Sequence, residues 1–237
     1  MRLCLVHGFT QTGASWGPVA DELRGAGHDV VTPDVAGHGA ASEVKADLHT
    51  ASALLADAVG PAVWVGYSMG GRLALYVSLD HPHVVERLVL VSATAGIEDD
   101  AERSARRHAD AQLADDVERD GVAVFVERWL DGPMWATLPR DRAGVEHRLS
   151  NTAAGLASSL RLAGTGAQEP LWGRLSSITV PTLIVTGSED HKFDALGARL
   201  AAGIPDATHA TITGAGHAVP WEQPEVFAVT VDQWLRQ

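Results

Sequence analysis

Short runs with apolar centres recur along the N-terminal part of the chain: Leu3 to Val6, Asp29 to Thr32, Val63 to Val65 and Arg87 to Val91. Runs this short fit strands buried on both faces. Between them the apolar residues fall at helical spacing. One helix is expected around Trp16 to Ala26, with Pro18 tolerated in its first turn. A second is expected from Ser42 to Ala58, with Leu48, Leu54 and Leu55 on its apolar face. A third carries Leu73, Ala74, Leu75, Val77 and Leu79. From Ala93 the alternation stops, and helices alone are expected up to about Trp172. Glu98 to Arg119 is densely charged, Val122 to Leu130 is amphipathic, and Arg140 to Leu162 carries Leu149, Leu156 and Leu160. Strand and helix then alternate again through Val180 to Thr186, Thr208 to Thr213 and a last helix from Pro224 to Leu235. This order predicts an α/β fold: a mostly parallel sheet of about six strands with helices on both faces. The helical insertion at about 94–172 is expected to cap the strands' C-terminal ends, where open α/β sheets place their sites.

Composition narrows the picture. The 237 residues suit one domain, 1–237, and 46% hydrophobic residues suffice for one sizeable core. A formal charge of −12 disfavours nucleic acid or an anionic membrane surface as partner. No apolar run is long enough for a membrane span. Met1 leads straight into the first strand with no room for a secretory leader, so a cytoplasmic location is expected. The single cysteine, Cys4, excludes an intrachain disulfide and reads as a packed thiol. Monomer and homodimer both remain open.

The strongest chemical signal lies at Gly66 to Gly70, which reads Gly-x-Ser-x-Gly. An apolar strand run precedes it and a helical pattern follows at once. Strand, sharp turn and helix are the setting in which this pattern makes a nucleophile elbow, with Ser68 exposed above the sheet edge. A reactive serine needs a base and an orienting carboxylate. Gly187 to Asp190 follows the fifth strand and Gly214 to His217 follows the sixth. Asp190 is therefore the expected carboxylate, with Glu189 as the spare candidate, and His217 the expected base. The oxyanion donors are expected to be the backbone N–H groups of Met69 and of Phe9, which follows the first strand. The remaining histidines show no zinc spacing, and the glycines at Gly66 to Gly71 are taken by the elbow. No metal and no cofactor are expected.

These motifs, with His7-Gly8-Phe9, resemble the α/β-hydrolase superfamily along the whole chain. Within it the chain is similar to the menaquinone-pathway 2-succinyl-6-hydroxy-2,4-cyclohexadiene-1-carboxylate synthases. The more specific signs are Tyr67 and Arg72 around Ser68, Lys192 and Phe193 after Asp190, and the positions Arg106, Trp129 and Arg148 in the insertion. The resemblance implies that Tyr67, Arg72, Arg106, Trp129 and Arg148 contact a small polycarboxylate substrate, which guanidinium groups bind bidentately. Arg103 and Arg107 compete with Arg106, because the register of that helix is fixed only to within a residue. The implied reaction is an elimination. Ser68, activated by His217, removes a proton beside a carbonyl and pyruvate leaves, with no acyl-enzyme. Two departures stand out: Ala218 to Glu222 replaces the usual second histidine and aliphatic residue, and the usual strands before the first core strand are lacking.

Plainer readings compete. Arg72 could form a structural ion pair, Arg106 and Arg148 could belong to a solvated charged face, and Trp129 could be core. At the level of function, a serine esterase or C–C bond hydrolase shares every triad residue. A non-enzymatic ligand-binding protein of the same fold predicts binding without turnover.

Overall fold

The structure, a computed structural model, describes residues 1–237. Its strands are β1 (Arg2–Val6), β2 (Asp29–Val31), β3 (Ala62–Tyr67), β4 (Val85–Val91), β5 (Thr182–Gly187) and β6 (Ala207–Ile212). They form one sheet in the order β2-β1-β3-β4-β5-β6, and every pairing is parallel. The order changes direction between β1 and β3. At such a switch point the loops leaving adjacent strands diverge and open a crevice beyond their carboxyl ends.

Helices α1 (Gly17–Gly25), α2 (Leu48–Val59) and α3 (Met69–Asp80) connect the first four strands. Between β4 and β5 lie α4 (Asp100–Leu130), α5 (Val145–Leu149) and α6 (Ala153–Ala163), then α7 (His191–Gly203), α8 (Val219–Glu222) and α9 (Pro224–Leu235) complete the chain. Successive side chains of a strand point to opposite faces. Cys4, Val6, Trp64 and Leu88 accordingly pack with Leu55 of α2 and Leu73 of α3. Leu3, Leu5, Val63 and Val89 pack on the other face with Val19 and Leu23 of α1 and Phe227 and Val231 of α9. A smaller apolar cluster joins Ala114, Val117 and Phe125 of α4 to Leu156 and Leu160 of α6, with Phe9 against it. Burial pushes the Cys4 thiol up to about 12, so it stays protonated. No helix is long and apolar enough to cross a membrane.

Two helix boundaries, the start of the second helix and the break within Arg140 to Leu162, differ from the sequence expectation. The second helix starts at Leu48 rather than Ser42, because the Asp47 carboxylate caps it by accepting from the Thr50 N–H (2.8 Å). Counted from that start, its buried face is Leu48, Ala51, Leu55 and Val59, and Leu54 is turned to solvent. We expect Leu54→Gln to change stability by less than about 0.5 kcal/mol and Leu55→Ala to cost about 2–4 kcal/mol, read by urea denaturation. Helix α4 contains a break at Gly121 (φ 79°, ψ 164°), which separates its charged half from its amphipathic half. The helix expected over Arg140 to Leu162 is two, because the Thr152 hydroxyl caps α6 at Gly155 N–H (3.1 Å) and leaves Leu149 exposed.

Candidate active site

Ser68 joins β3 to α3 with φ 51° and ψ −107°, a conformation that costs a residue with a side chain about 1–3 kcal/mol. The surroundings enforce it. The Ser68 N–H donates to the Val91 carbonyl (2.8 Å), which anchors the turn to β4. A Cβ on Gly66 would lie 2.3 Å from the Gly70 carbonyl oxygen, and one on Gly70 would lie 2.1 Å from that of Val6. Both positions therefore require glycine, and the serine hydroxyl is held at the carboxyl edge of the sheet.

His217 Nε2 lies 3.1 Å from Ser68 Oγ, and its Nδ1 lies 2.7 Å from Asp190 Oδ2. With Asp190 ionised, Nδ1 carries the proton and the Nε2 lone pair faces the hydroxyl. The other Asp190 oxygen accepts from the Phe193 N–H (3.2 Å) at the start of α7, which fixes the carboxylate's orientation. His217 is 1% exposed. The rings of Phe193 (4.4 Å), Tyr67 (5.6 Å) and Trp135 (5.8 Å) surround its imidazole and keep bulk water away.

The Met69 N–H, at the first position of α3, has no carbonyl one turn back within the helix to receive it. The Phe9 N–H belongs to a heavily braced loop. His7 Nε2 accepts from the Val35 N–H (3.1 Å), which leaves Nδ1 to donate to the Gly8 carbonyl (2.9 Å). Burial holds His7 neutral, its pKa pushed down to about 4. Neighbouring His38, packed edge-on against His7 and Phe9, is pushed down to about 3 by burial and by His7. Gln11 accepts from the Gly8 N–H (3.0 Å), and Asn151 donates to the Thr10 carbonyl (2.7 Å). A Cβ on Gly8 would fall 2.7 Å from the Tyr67 ring. We expect Gly8→Ala to push this loop aside and cost about 10²–10³ in kcat, the effect of losing one oxyanion donor, with little change in KM.

A cavity of about 510 Å³ opens over these groups. Ser68, Met69, His217 and Phe9 line it from the sheet side, and Arg106, Trp129 and Ser159 from the helices between β4 and β5. Arg72 also lines it although it is 6% exposed. Its guanidinium donates to the Ala163 carbonyl (2.8 Å) and pairs with no carboxylate. Burial, and then the nearby charge of Arg106, push its pKa down to about 10. Arg106 settles the register of α4: its Nε donates to Asp110 (2.7 Å), and Asp110 also accepts from the Gly166 N–H (2.9 Å). Arg103 turns away to the Ile97 carbonyl (2.9 Å) and Arg107 to the Gly166 carbonyl (3.1 Å).

The other expected residues divide. Trp129 lines the cavity edge-on to Phe9 (5.3 Å), and its buried indole N–H has no partner. Tyr67 lines the cavity floor and packs against Trp221 (4.8 Å), with its hydroxyl buried and unpartnered; burial raises its pKa. Arg148 is not on the cavity wall. It is fully buried behind the Phe9 loop, donating to the Ala143 carbonyl (2.8 Å), the Thr10 hydroxyl and the Phe9 carbonyl (3.5 Å). Long-range packing, which local context does not encode, places it there. Sequence reasoning also missed the mouth of the cavity, where Arg199 lies over Trp172 (3.8 Å) and pairs with Glu98 (2.7 Å). Nothing in the local sequence marks those three residues as neighbours.

The Alpha/beta hydrolase family profile matches residues 5–230. A Bacillus subtilis protein provisionally named 2-succinyl-6-hydroxy-2,4-cyclohexadiene-1-carboxylate synthase is 33% identical, with 98% of this chain and 89% of that one aligned. The 2-succinyl-6-hydroxy-2,4-cyclohexadiene-1-carboxylate synthase of Enterobacter sp. (strain 638) is 30% identical over 99% of this chain and 91% of its own length. Among solved structures, MenH from S. aureus superposes with a TM-score of 0.93 at 29% identity, covering 100% of this chain and 93% of that one.

Proposed function

The chain belongs to the alpha/beta hydrolase family, and on that premise we propose that it is a cytoplasmic lyase. It eliminates pyruvate from 2-succinyl-5-enolpyruvyl-6-hydroxy-3-cyclohexene-1-carboxylate in menaquinone biosynthesis. Ser68, His217 and Asp190 are its catalytic residues, Phe9 and Met69 its oxyanion donors, and the segment at about 94–172 its cap.

One observation carries the reading. Arg72 stands one turn beyond Ser68 on the same face of α3, buried in the cavity without an anionic partner. A guanidinium left that way costs stability unless the ligand supplies the anion. The proposed substrate bears carboxylates on its ring, its succinyl arm and its enolpyruvyl group. Arg106, tied by Nε alone to Asp110, keeps its terminal nitrogens for a second carboxylate.

The chemistry follows from the geometry. His217 Nε2 takes the Ser68 proton, and the serine oxygen removes the proton beside the succinyl ketone. The electron pair moves onto the ketone oxygen as an enolate, which the Phe9 and Met69 N–H groups stabilise. Collapse of the enolate forms the C2=C3 bond, shifts the existing C3=C4 double bond to C4=C5 and breaks the C5–O bond to the enolpyruvyl group. The departing enolate takes the proton held by His217 onto its methylene carbon and becomes pyruvate, which returns the imidazole to its neutral form. Asp190 supports the imidazolium that exists in between.

The test is pyruvate release from freshly made substrate, counted above the spontaneous rate, with Ser68→Ala in parallel. Fast release lost in the variant supports the lyase. Release at the spontaneous rate, with a small aryl ester cleaved through Ser68, makes the protein a serine hydrolase. Tight binding with no turnover of either makes it a binding protein.

A further inference from the structure

We propose that Glu222 is a positioning residue for His217, its carboxylate tying down the peptide units on both sides of the histidine. The imidazole is thereby set between Asp190 and Ser68. The proposal rests on the triad assignment above and not on the choice between lyase and hydrolase.

The loop that carries His217 is poorly suited to hold itself still. It runs Gly214-Ala-Gly216-His217-Ala218 directly after β6, and Gly214 takes a positive φ of 74°. Glycine has the widest backbone freedom of any residue. Yet His217 keeps two hydrogen bonds at once, at 2.7 and 3.1 Å to groups from two other loops. A shift of about 1 Å in such a group costs on the order of 10²-fold in rate.

What restrains the loop is Glu222. Its Oε2 accepts from the Gly216 N–H (2.6 Å) and its Oε1 from the Ala218 N–H (2.9 Å), so its two oxygens straddle His217. Such charge-assisted bonds are shorter and stronger than neutral ones. The glutamate is itself anchored. Its N–H donates to the Ala218 carbonyl (2.9 Å), and its carbonyl accepts from Arg142 (3.1 Å) in the segment between α4 and α5. On the other side, a Cβ on Gly216 would lie 2.1 Å from Thr137 Oγ1, so the loop has no room to slide.

Glu222 is 6% exposed, and no lysine or arginine side chain pairs with its carboxylate. A buried anion satisfied only by amides is an expensive way to fill space, and an apolar side chain would serve packing better. Glutamine cannot replace it. Its amide offers one acceptor oxygen and would set an NH2 donor against the second N–H.

The experiment compares Glu222→Gln, Glu222→Asp and Glu222→Ala with the parent, all rates taken per folded molecule. Labelling of Ser68 by a fluorophosphonate reads the His217–Ser68 geometry without any assumption about substrate. The low-field proton resonance between His217 Nδ1 and Asp190 reads the other contact. For Glu222→Gln we expect labelling and kcat to fall together by about 30–100-fold, KM to change little, and the low-field resonance to be lost. Asp, too short to span both amides, should fall between. A Glu222→Gln protein that labels at the parent rate and keeps the resonance overturns the proposal, however much its melting temperature drops. If the parent labels at Ser68 and releases no pyruvate, the lyase reading fails while the Glu222 comparison stands. If the parent does not label at all, the triad assignment fails and Glu222 with it.

Discussion

Ser68→Ala is expected to lower enzyme-dependent pyruvate release by about 10²–10⁴-fold, the range that a positioned acid–base group supplies. Substrate affinity should survive, because the cavity wall and its arginines are untouched. The serine oxygen is the only nucleophilic atom that the elbow presents to the cavity beside both oxyanion donors. Without it, His217 Nε2 must act from behind a gap, since it stands 3.1 Å from the oxygen it activates. His217→Ala should cost a similar amount, and the double variant hardly more than either alone, because groups acting as one unit do not add. Stopped-flow pyruvate detection with equilibrium binding separates these terms. Weakened binding with unchanged turnover would remove Ser68 from the chemistry. The fold should not suffer: alanine keeps the Cβ and therefore the same strained φ of 51°. Ser68→Gly should raise stability by about 1 kcal/mol by releasing that strain, again without activity.

Arg72→Met is expected to move function and stability in opposite directions. A bidentate carboxylate contact consists of charge-assisted hydrogen bonds worth about 1.5–3 kcal/mol each. Its loss should reduce kcat/KM by about 10²–10³-fold, mostly through KM if the contact is held equally in ground and transition states. In the free protein, however, the same guanidinium is buried with a single carbonyl partner and a pKa pushed down to about 10 by burial. Replacing an uncompensated buried charge by an apolar chain of similar length should stabilise the fold by about 1–2 kcal/mol, a rise of about 2–8 °C in Tm for a chain this size. Arg72→Lys restores a point charge without the planar fork and should recover only part of the affinity. Calorimetry and steady-state kinetics on the two variants check both halves. A lower Tm with unchanged KM would make Arg72 a structural residue and leave the cavity without its anion subsite.

Much of the fold was legible because its signals are local. Val63 to Val65 followed by Gly-x-Ser-x-Gly reads as strand, turn and helix from sterics alone, since Gly66 and Gly70 sit where any Cβ would strike backbone. The parallel six-stranded sheet follows from apolar runs alternating with helical periodicity. The expected triad residues are far apart in sequence, but each follows a strand, and parallel strands bring their carboxyl ends to one edge. Helix starts were less legible. A capping side chain such as Asp47 or Thr152 decides them, and many polar residues nearby could have served.

The sequence by itself determined which residues could do chemistry: the serine at the elbow, the acid and histidine after later strands, and the arginines around them. Only the tertiary structure decided what each arginine faces. Arg72 and Arg106 line the cavity, Arg103 and Arg107 do not and are held by the Ile97 and Gly166 carbonyls, and Arg148 braces the Phe9 loop from behind. Only the tertiary structure, too, brought Glu222 to both flanks of His217. The physical reason is range. Strand, turn and helix propensities act over a few residues, whereas the burial of a charge and the choice of its partner depend on which distant segments pack against it.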